Sequence, residues 1–404
     1  MWLFTGFSLL QSWFVKYFLI PYLASRKIDL HLGDKEPFKV WLLHFVIIWT
    51  FYLGKIFEKL GICTQIWFVR FVMRLVPQVK ESKLLITDTT FENVPVRIYQ
   101  PQKINPGLRK GVLLFHGGCG MFGSKKTYSA LCCYLARESD SVVVYVEYRL
   151  GPEHQHPAQL LDALATIWYF MKHSKDYGVN SNHIVLAGDS SGGTMVAWIC
   201  EELVKTGNLP KIRAQILIYP FLQSIDLMLP SYLQNHHGPF LTRKRVVNFG
   251  LKFIGNEHVD KEKIARNGHV PEDMKEKFKK WISEDLIPRE FKARAYDRPM
   301  AAPFSKELYE ASRLNDKTLQ SPIISEDDIV KQLPETYILT CEYDPLRDDG
   351  LLYKKRLEDN GVPVTWNHVK EGGHGFITFI NSRCFEFSYT KPAIGNIVSF
   401  IKGL

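Results

Sequence analysis

Ser190 stands at the centre of Gly188-Asp189-Ser190-Ser191-Gly192-Gly193, directly after the apolar run His183-Ile184-Val185-Leu186-Ala187. This is a strand running into a tight turn. A serine with glycine two positions to either side fits a strand-to-helix elbow, where the two elements approach so closely that the flanking positions have no room for a side chain. Such an elbow pushes the hydroxyl into the open. Glycine and serine also cluster in ordinary turns, so the motif acquires meaning only from the rest of the chain.

The run Gly111-Val112-Leu113-Leu114-Phe115 reads as a buried strand and delivers the chain into His116-Gly117-Gly118-Cys119-Gly120, a loop able to aim backbone N–H groups at a developing oxyanion. Downstream come Asp344-Pro345-Leu346-Arg347-Asp348-Asp349-Gly350 and Glu371-Gly372-Gly373-His374-Gly375-Phe376, each just past a strand-like segment. A serine hydroxyl attacks a carbonyl only when a base within reach takes its proton, and a carboxylate must hold that base in the right tautomer. Serine, aspartate and histidine follow in that order. Asp348 and Asp349 rival Asp344 as the acid, but both suit the acidic first turn of the following helix.

The loop after Phe115, the stretch Tyr148-Arg149-Leu150-Gly151-Pro152-Glu153-His154, the elbow, the acid loop and the His-Gly-Phe ending together resemble the hormone-sensitive-lipase-like esterases. With the hydrophobic N-terminus and Leu351-Leu352-Tyr353-Lys354-Lys355-Arg356-Leu357, the chain is most similar within them to the arylacetamide deacetylase-like proteins, over residues 85–404. The resemblance implies an α/β-hydrolase fold, Ser190, Asp344 and His374 as the triad, and an oxyanion hole built on His116, Gly117, Gly118, Cys119 and Ser191. Its donors would be the N–H groups of Gly118, Cys119 and Ser191, with Gly117 letting the loop turn. Tyr148, Arg149, Glu153 and His154 would brace that loop, and Asp189 would order the elbow. The chain departs from the family at Cys119, where a third glycine is expected: a Cβ restricts φ and the sulfur intrudes on the hole. Ser191 replaces the usual alanine, a smaller departure that leaves its N–H unchanged.

Strand-like segments at 94–99, 111–115, 141–147, 183–187, 214–219, 336–340 and 365–369 alternate with helical ones, which predicts a mainly parallel sheet, eight-stranded in the implied fold, with helices on both faces and a site at the carboxyl ends of the strands. Between 220 and 333 the alternation lapses into helical patterns, read as a helical cap inserted into a catalytic domain of residues 85–404, with 28–84 a membrane-proximal segment joining it. Residues 2–24 carry a single charge, Lys16, and are long enough to cross a bilayer, so 1–27 reads as a signal-anchor. A cleaved signal peptide is the rival, but no basic region precedes the apolar run. A second apolar run, 40–54, is shorter and reads as interfacial or as part of the cap. Arg26 and Lys27 after the first span favour a cytosolic catalytic domain by the positive-inside rule, whereas the resemblance implies the lumen of the endoplasmic reticulum.

The net charge of +9 comes from 51 Lys and Arg against 42 Asp and Glu with no long like-charge block, which speaks against nucleic acid as a partner and is compatible with a lipid surface. Seven cysteines in 404 residues are too scattered for a disulfide scaffold or a metal site, and no cofactor is expected. Cys132, Cys133 and Cys200 read as core; Cys119 lies in the oxyanion loop and Cys341 three residues before the proposed acid, neighbourhoods the implied fold would allow to approach, and a disulfide between them is left open. The expected partners are a hydrophobic small-molecule ester or amide and the bilayer. The expected activity is carboxylic-ester hydrolysis, with aryl amides and acylglycerols as further candidates. The alternative, motivated by Cys119, is a catalytically weak protein that binds a hydrophobic ligand.

Overall fold

The computed structural model describes residues 36–404 apart from 77, 78, 80, 208–210, 237, 239 and 314–320. The apolar stretch 2–24 and the basic pair Arg26 and Lys27 lie outside the described residues.

Val142–Val146 and Ala214–Ile218 are buried at every position, the pattern of strands covered on both faces. They belong to a sheet of eight strands: β1 (Leu84–Phe91), β2 (Val94–Pro101), β3 (Arg109–Phe115), β4 (Val142–Val146), β5 (Val179–Asp189), β6 (Ala214–Ile218), β7 (Glu335–Tyr343) and β8 (Val364–Gly373). Their spatial order is β1-β2-β4-β3-β5-β6-β7-β8. The β1–β2 and β2–β4 pairs are antiparallel and the remaining five are parallel. The expected mainly parallel α/β sheet is therefore present. The sequence gives no alternation for β1, because Leu85 and residues 87–90 are exposed at the sheet's outer edge and only Leu84 and Phe91 are fully buried.

The pleat sorts neighbours to opposite layers. Leu113 of β3 joins a cluster with the helices Ala158–His173 and Ser191–Thr206, whereas Val112 and Leu114 join one with the helices Ser129–Ser139 and Thr390–Gly403. Cys132, Cys133 and Cys200 are buried there as expected. Between β6 and β7 the described helices are short, the longest being Arg243–Phe253. The stretch Lys261–Arg298, rich in charges of both signs, buries Ile264, Val270, Phe278 and Ile282 in the first cluster.

The second apolar run is longer than its sequence bounds, forming a helix over Pro37–Lys59 whose apolar window has a mean hydropathy of 1.7, long enough to span a membrane by length and composition. A charge such as Lys55 ends an apolar run but not a helix, since lysine has good helix propensity. Val40 and Leu43 pack into the second cluster, while Phe38, Val46 and Leu53 are exposed. The following helix, Gln65–Met73, buries Ile66 and Val69 against Met121 and Phe122.

Candidate active site

β5 ends at Asp189 and the next helix begins at Ser191, leaving Ser190 alone at the turn with φ 55° and ψ −124°. That conformation is strained for a residue with a Cβ, and the neighbouring chain enforces it. A Cβ on Gly188 would lie 2.3 Å from the carbonyl oxygen of Gly192, and one on Gly192 would lie 2.1 Å from that of Phe115. The Ser190 N–H donates to the Ile218 carbonyl of β6 at 2.8 Å, fixing the elbow to the sheet.

β7 and β8 deliver the two partners. His374 Nε2 lies 2.9 Å from Ser190 Oγ, and His374 Nδ1 lies 2.7 Å from Asp344 Oδ2. Asp344 is fully buried, and its other carboxylate oxygen accepts the Leu346 N–H at 2.9 Å. With Nδ1–H donating to the carboxylate, Nε2 has its lone pair toward the serine hydroxyl. The Tyr219 ring, 4.6 Å from the imidazole, backs it.

Asp348 and Asp349 take the helix-start place expected of them. They sit in the first turn of the helix Arg347–Asp359, and both are fully buried. Asp349 accepts from the Leu222 N–H at 3.0 Å and from Gln223 Nε2 at 2.9 Å, and Asp348 accepts from the Ser231 N–H at 2.7 Å. They tie the chain leaving β6 to the helix behind the site. Burial pushes Asp349 up to about 8.

The loop after β3 takes φ 100° at Gly118, 54° at Cys119 and 63° at Gly120. Cys119 thus occupies a left-handed conformation that favours glycine, as its place in the motif suggested. His116 is buried, its carbonyl accepting from the Tyr148 hydroxyl at 2.6 Å and its ring stacked on Tyr148 with centroids 4.3 Å apart. Burial lowers its pKa to about 4, so it is a neutral scaffold residue. The Gly117 N–H donates to Asp189 Oδ1 at 2.8 Å. Gly118 and Ser191 N–H groups donate to no acceptor among the described residues. The Cys119 N–H does: it donates to Ser191 Oγ at 2.7 Å. Ser191 is therefore not a silent replacement, because its hydroxyl engages one of the three expected donors.

All seven cysteines are thiols rather than disulfides. Cys341 is buried in the second core cluster, whereas Cys119 borders the small cluster around Met121 and Phe122, so the pairing left open by the sequence does not form. Burial raises the Cys119 thiol to about 12, which keeps it protonated. Among the described residues no three His, Cys, Asp or Glu side chains converge as a metal site.

The bracing of the loop includes a residue that motif reading missed. Arg70, on the helix Gln65–Met73, donates from Nε to the Met121 carbonyl at 2.7 Å, from Nη1 to Glu153 at 2.8 Å, and from Nη2 to the Gly151 carbonyl. Its signal in the sequence is a lone cation inside Gln-Ile-Trp-Phe-Val-Arg-Phe-Val-Met. Arg149 pairs instead with Asp162 at 2.7 Å. Beside Cys119 and Ser191 opens a cavity of about 200 Å³, whose walls include Met195, Trp198, Phe221 and Leu251.

A parallel sheet with a serine on the elbow of one strand, and histidine and aspartate at the ends of two neighbouring strands, defines an α/β-hydrolase-fold protein. Residues 112–280 and 283–378 match the family described by that fold. Human arylacetamide deacetylase-like 4 is 41% identical over 377 residues, covering 93% of this chain and 92% of that one. Bovine arylacetamide deacetylase is 34% identical over 378 residues, covering 90% and 94%. The crystal structure of carboxyl esterase 2 from the fungus Tuber melanosporum has a TM-score of 0.59 at 23% identity, covering 81% of this chain and 89% of that one, and shares the fold. The chain belongs to the arylacetamide deacetylase-like family of α/β-hydrolase-fold proteins.

Proposed function

We propose that this protein is a membrane-anchored serine hydrolase that cleaves carboxylic esters with a hydrophobic acyl or alcohol group, through an acyl-enzyme on Ser190. The observation that carries the reading is the continuous hydrogen-bonded chain Ser190 Oγ–His374–Asp344, with separations of 2.9 and 2.7 Å. Ser190 Oγ attacks the ester carbonyl as His374 Nε2 takes its proton, and Asp344 holds the imidazolium. The N–H groups of Gly118 and Ser191 stabilise the oxyanion, and His374 returns the proton to the departing alkoxide. Water, deprotonated by His374, then attacks the acyl-enzyme and frees the acid. The apolar cavity beside the hole favours a substrate with little polar surface, aryl amides and acylglycerols included. Residues 220–333 serve as its cap.

Residues 1–27 anchor the chain in the endoplasmic-reticulum membrane with residues 85–404 in the lumen, a reading that rests on family resemblance against the charge of Arg26 and Lys27. Two experiments test these statements. A fluorophosphonate should label the wild type and not Ser190→Ala, while only the wild type hydrolyses a graded panel of acyl esters. A folded wild type that neither labels nor turns over would leave the ligand-binding alternative. Protease digestion of the catalytic domain in sealed microsomes, without detergent, would overturn the lumenal placement.

A further inference from the structure

The contact between Cys119 N–H and Ser191 Oγ joins the two limbs of the oxyanion hole, and it commits a backbone donor to a side chain. An acceptor seated where the loop's N–H groups converge would receive from Gly118 as well as from Cys119. Among the described residues Ser191 Oγ receives only from Cys119, so it lies beside that point rather than in it. A serine hydroxyl also carries a proton of its own. Among the described residues it donates to no acceptor, and Ser191 and Cys119 both line the apolar cavity. An O–H whose oxygen already accepts a hydrogen bond is polarised and becomes a better donor.

We propose that the Ser191 hydroxyl is a catalytic oxyanion donor: the Cys119 N–H holds Ser191 Oγ, and the O–H, not that N–H, meets the negative oxygen beside the N–H groups of Gly118 and Ser191. This inference rests on the acyl-enzyme reading of Ser190. The balance of the reaction is unchanged. Ser190 Oγ forms the new C–O bond, the carbonyl π pair moves onto oxygen, and the Ser190 proton goes to His374. Ser191 keeps its proton throughout. When the intermediate collapses, the electron pair re-forms C=O and the alkoxide leaves with the proton from His374. The hydroxyl thereby restores the third donor that its own contact with the Cys119 N–H takes up.

The experiment compares Ser191→Ala and Ser191→Thr with wild type on one chromogenic ester, reading kcat and KM separately, with thermal midpoints to verify folding. Loss of a transition-state donor should lower kcat of Ser191→Ala by about 10²–10³-fold with KM changed by less than about threefold. Ser191→Thr, which keeps the hydroxyl, should recover at least about a tenth of the wild-type kcat. An alanine variant as fast as wild type, or faster, would overturn the proposal by showing that the hydroxyl is idle or plugs the hole. An equally slow threonine variant with a native thermal midpoint would also overturn it. Prolonged fluorophosphonate exposure separates this failure from that of the underlying reading: Ser191→Ala should reach stoichiometric labelling, whereas absence of labelling in wild type would remove Ser190 as the nucleophile.

Discussion

The carboxylate of Asp189 takes the N–H of Gly117 at 2.8 Å, so the residue before Ser190 holds the loop that follows β3. Its second oxygen accepts from the Tyr128 hydroxyl at 3.0 Å, and burial raises its pKa to about 6 even though these two donors favour the charged form. Elbow and loop therefore behave as one hydrogen-bonded unit. A shift of either would misalign the Gly118 N–H with the Ser190 hydroxyl.

Asp189→Ala should accordingly lower stability by about 1–3 kcal/mol, the cost of leaving a buried N–H without its acceptor. It should also lower kcat/KM by about tenfold or more through the displaced loop. Asp189→Asn retains one oxygen for Gly117 and should lose much less of both. Urea midpoints and ester kinetics on the two variants decide the matter, and an alanine variant matching wild type in both would mean that the loop holds its shape without the carboxylate.

Arg70 gives a second expectation. Its guanidinium spans the carbonyls of Met121 and Gly151 and the carboxylate of Glu153, a reach that the compact ammonium of lysine does not reproduce. Arg70→Met keeps most of the apolar stem but strands these acceptors, so it should destabilise by about 2–3 kcal/mol and lower kcat/KM. Arg70→Lys should recover only part of the loss. Native stability and kinetics in Arg70→Met would show that the helix Gln65–Met73 is an appendage without influence on the loop.

What could be read from the sequence was local or repetitive. The Ser190 elbow, the glycine-rich loop and the strands ahead of Asp344 and His374 each announce themselves within a few residues, and a fully buried strand such as Val142–Val146 needs no partner to be recognised. What could not be read depended on pairing across the chain. Ser191 Oγ meets the Cys119 N–H across 72 positions, and Arg70 meets Gly151 across 81. No propensity of either residue signals where the other backbone will point. The burial of Asp349 was hidden for the same reason: its place in a first helical turn is visible, but its packing against Leu222 and Gln223 is a property of the folded layers. β1 escaped because an edge strand has no need of an alternating apolar face.

Cys119 allows the backbone and side-chain effects of one residue to be separated. At φ 54° a Cβ costs about 1–2 kcal/mol relative to glycine. Cys119→Ala loses the thiol and keeps that strain, whereas Cys119→Gly loses both. The glycine variant should thus be more stable than the alanine variant by about 1 kcal/mol, after the greater chain entropy of unfolded glycine is set against the relief. Both keep the N–H that holds Ser191. Equal urea midpoints, or a more stable alanine variant, would show that the loop relaxes to a φ that tolerates a Cβ.

Glu201 supplies a pH dependence whose sign can be worked out. It is buried on the helix that starts at the elbow; Ser325 Oγ donates to Oε2, while Oε1 has no hydrogen-bond partner among the described residues. Burial raises its pKa to about 8, opposed by Ser325 and the positive charges of Lys205 and Arg356 and assisted by Glu202. Unfolded glutamate titrates at about 4.3. Between that value and about 8 the folded protein therefore holds a proton that the unfolded chain has released, so stability from this group falls as pH rises, by up to about 1.4 kcal/mol per unit. Above about 8 the effect is flat. Asp349, also raised to about 8 by burial, contributes with the same sign and persists in a Glu201 variant. Glu201→Gln should therefore make stability fall less steeply between pH 5 and 8 without abolishing the slope. Urea unfolding of both proteins at pH 5, 6.5 and 8 measures it; identical slopes would mean that water reaches the carboxylate and that it ionises in the folded protein as it does in the unfolded chain.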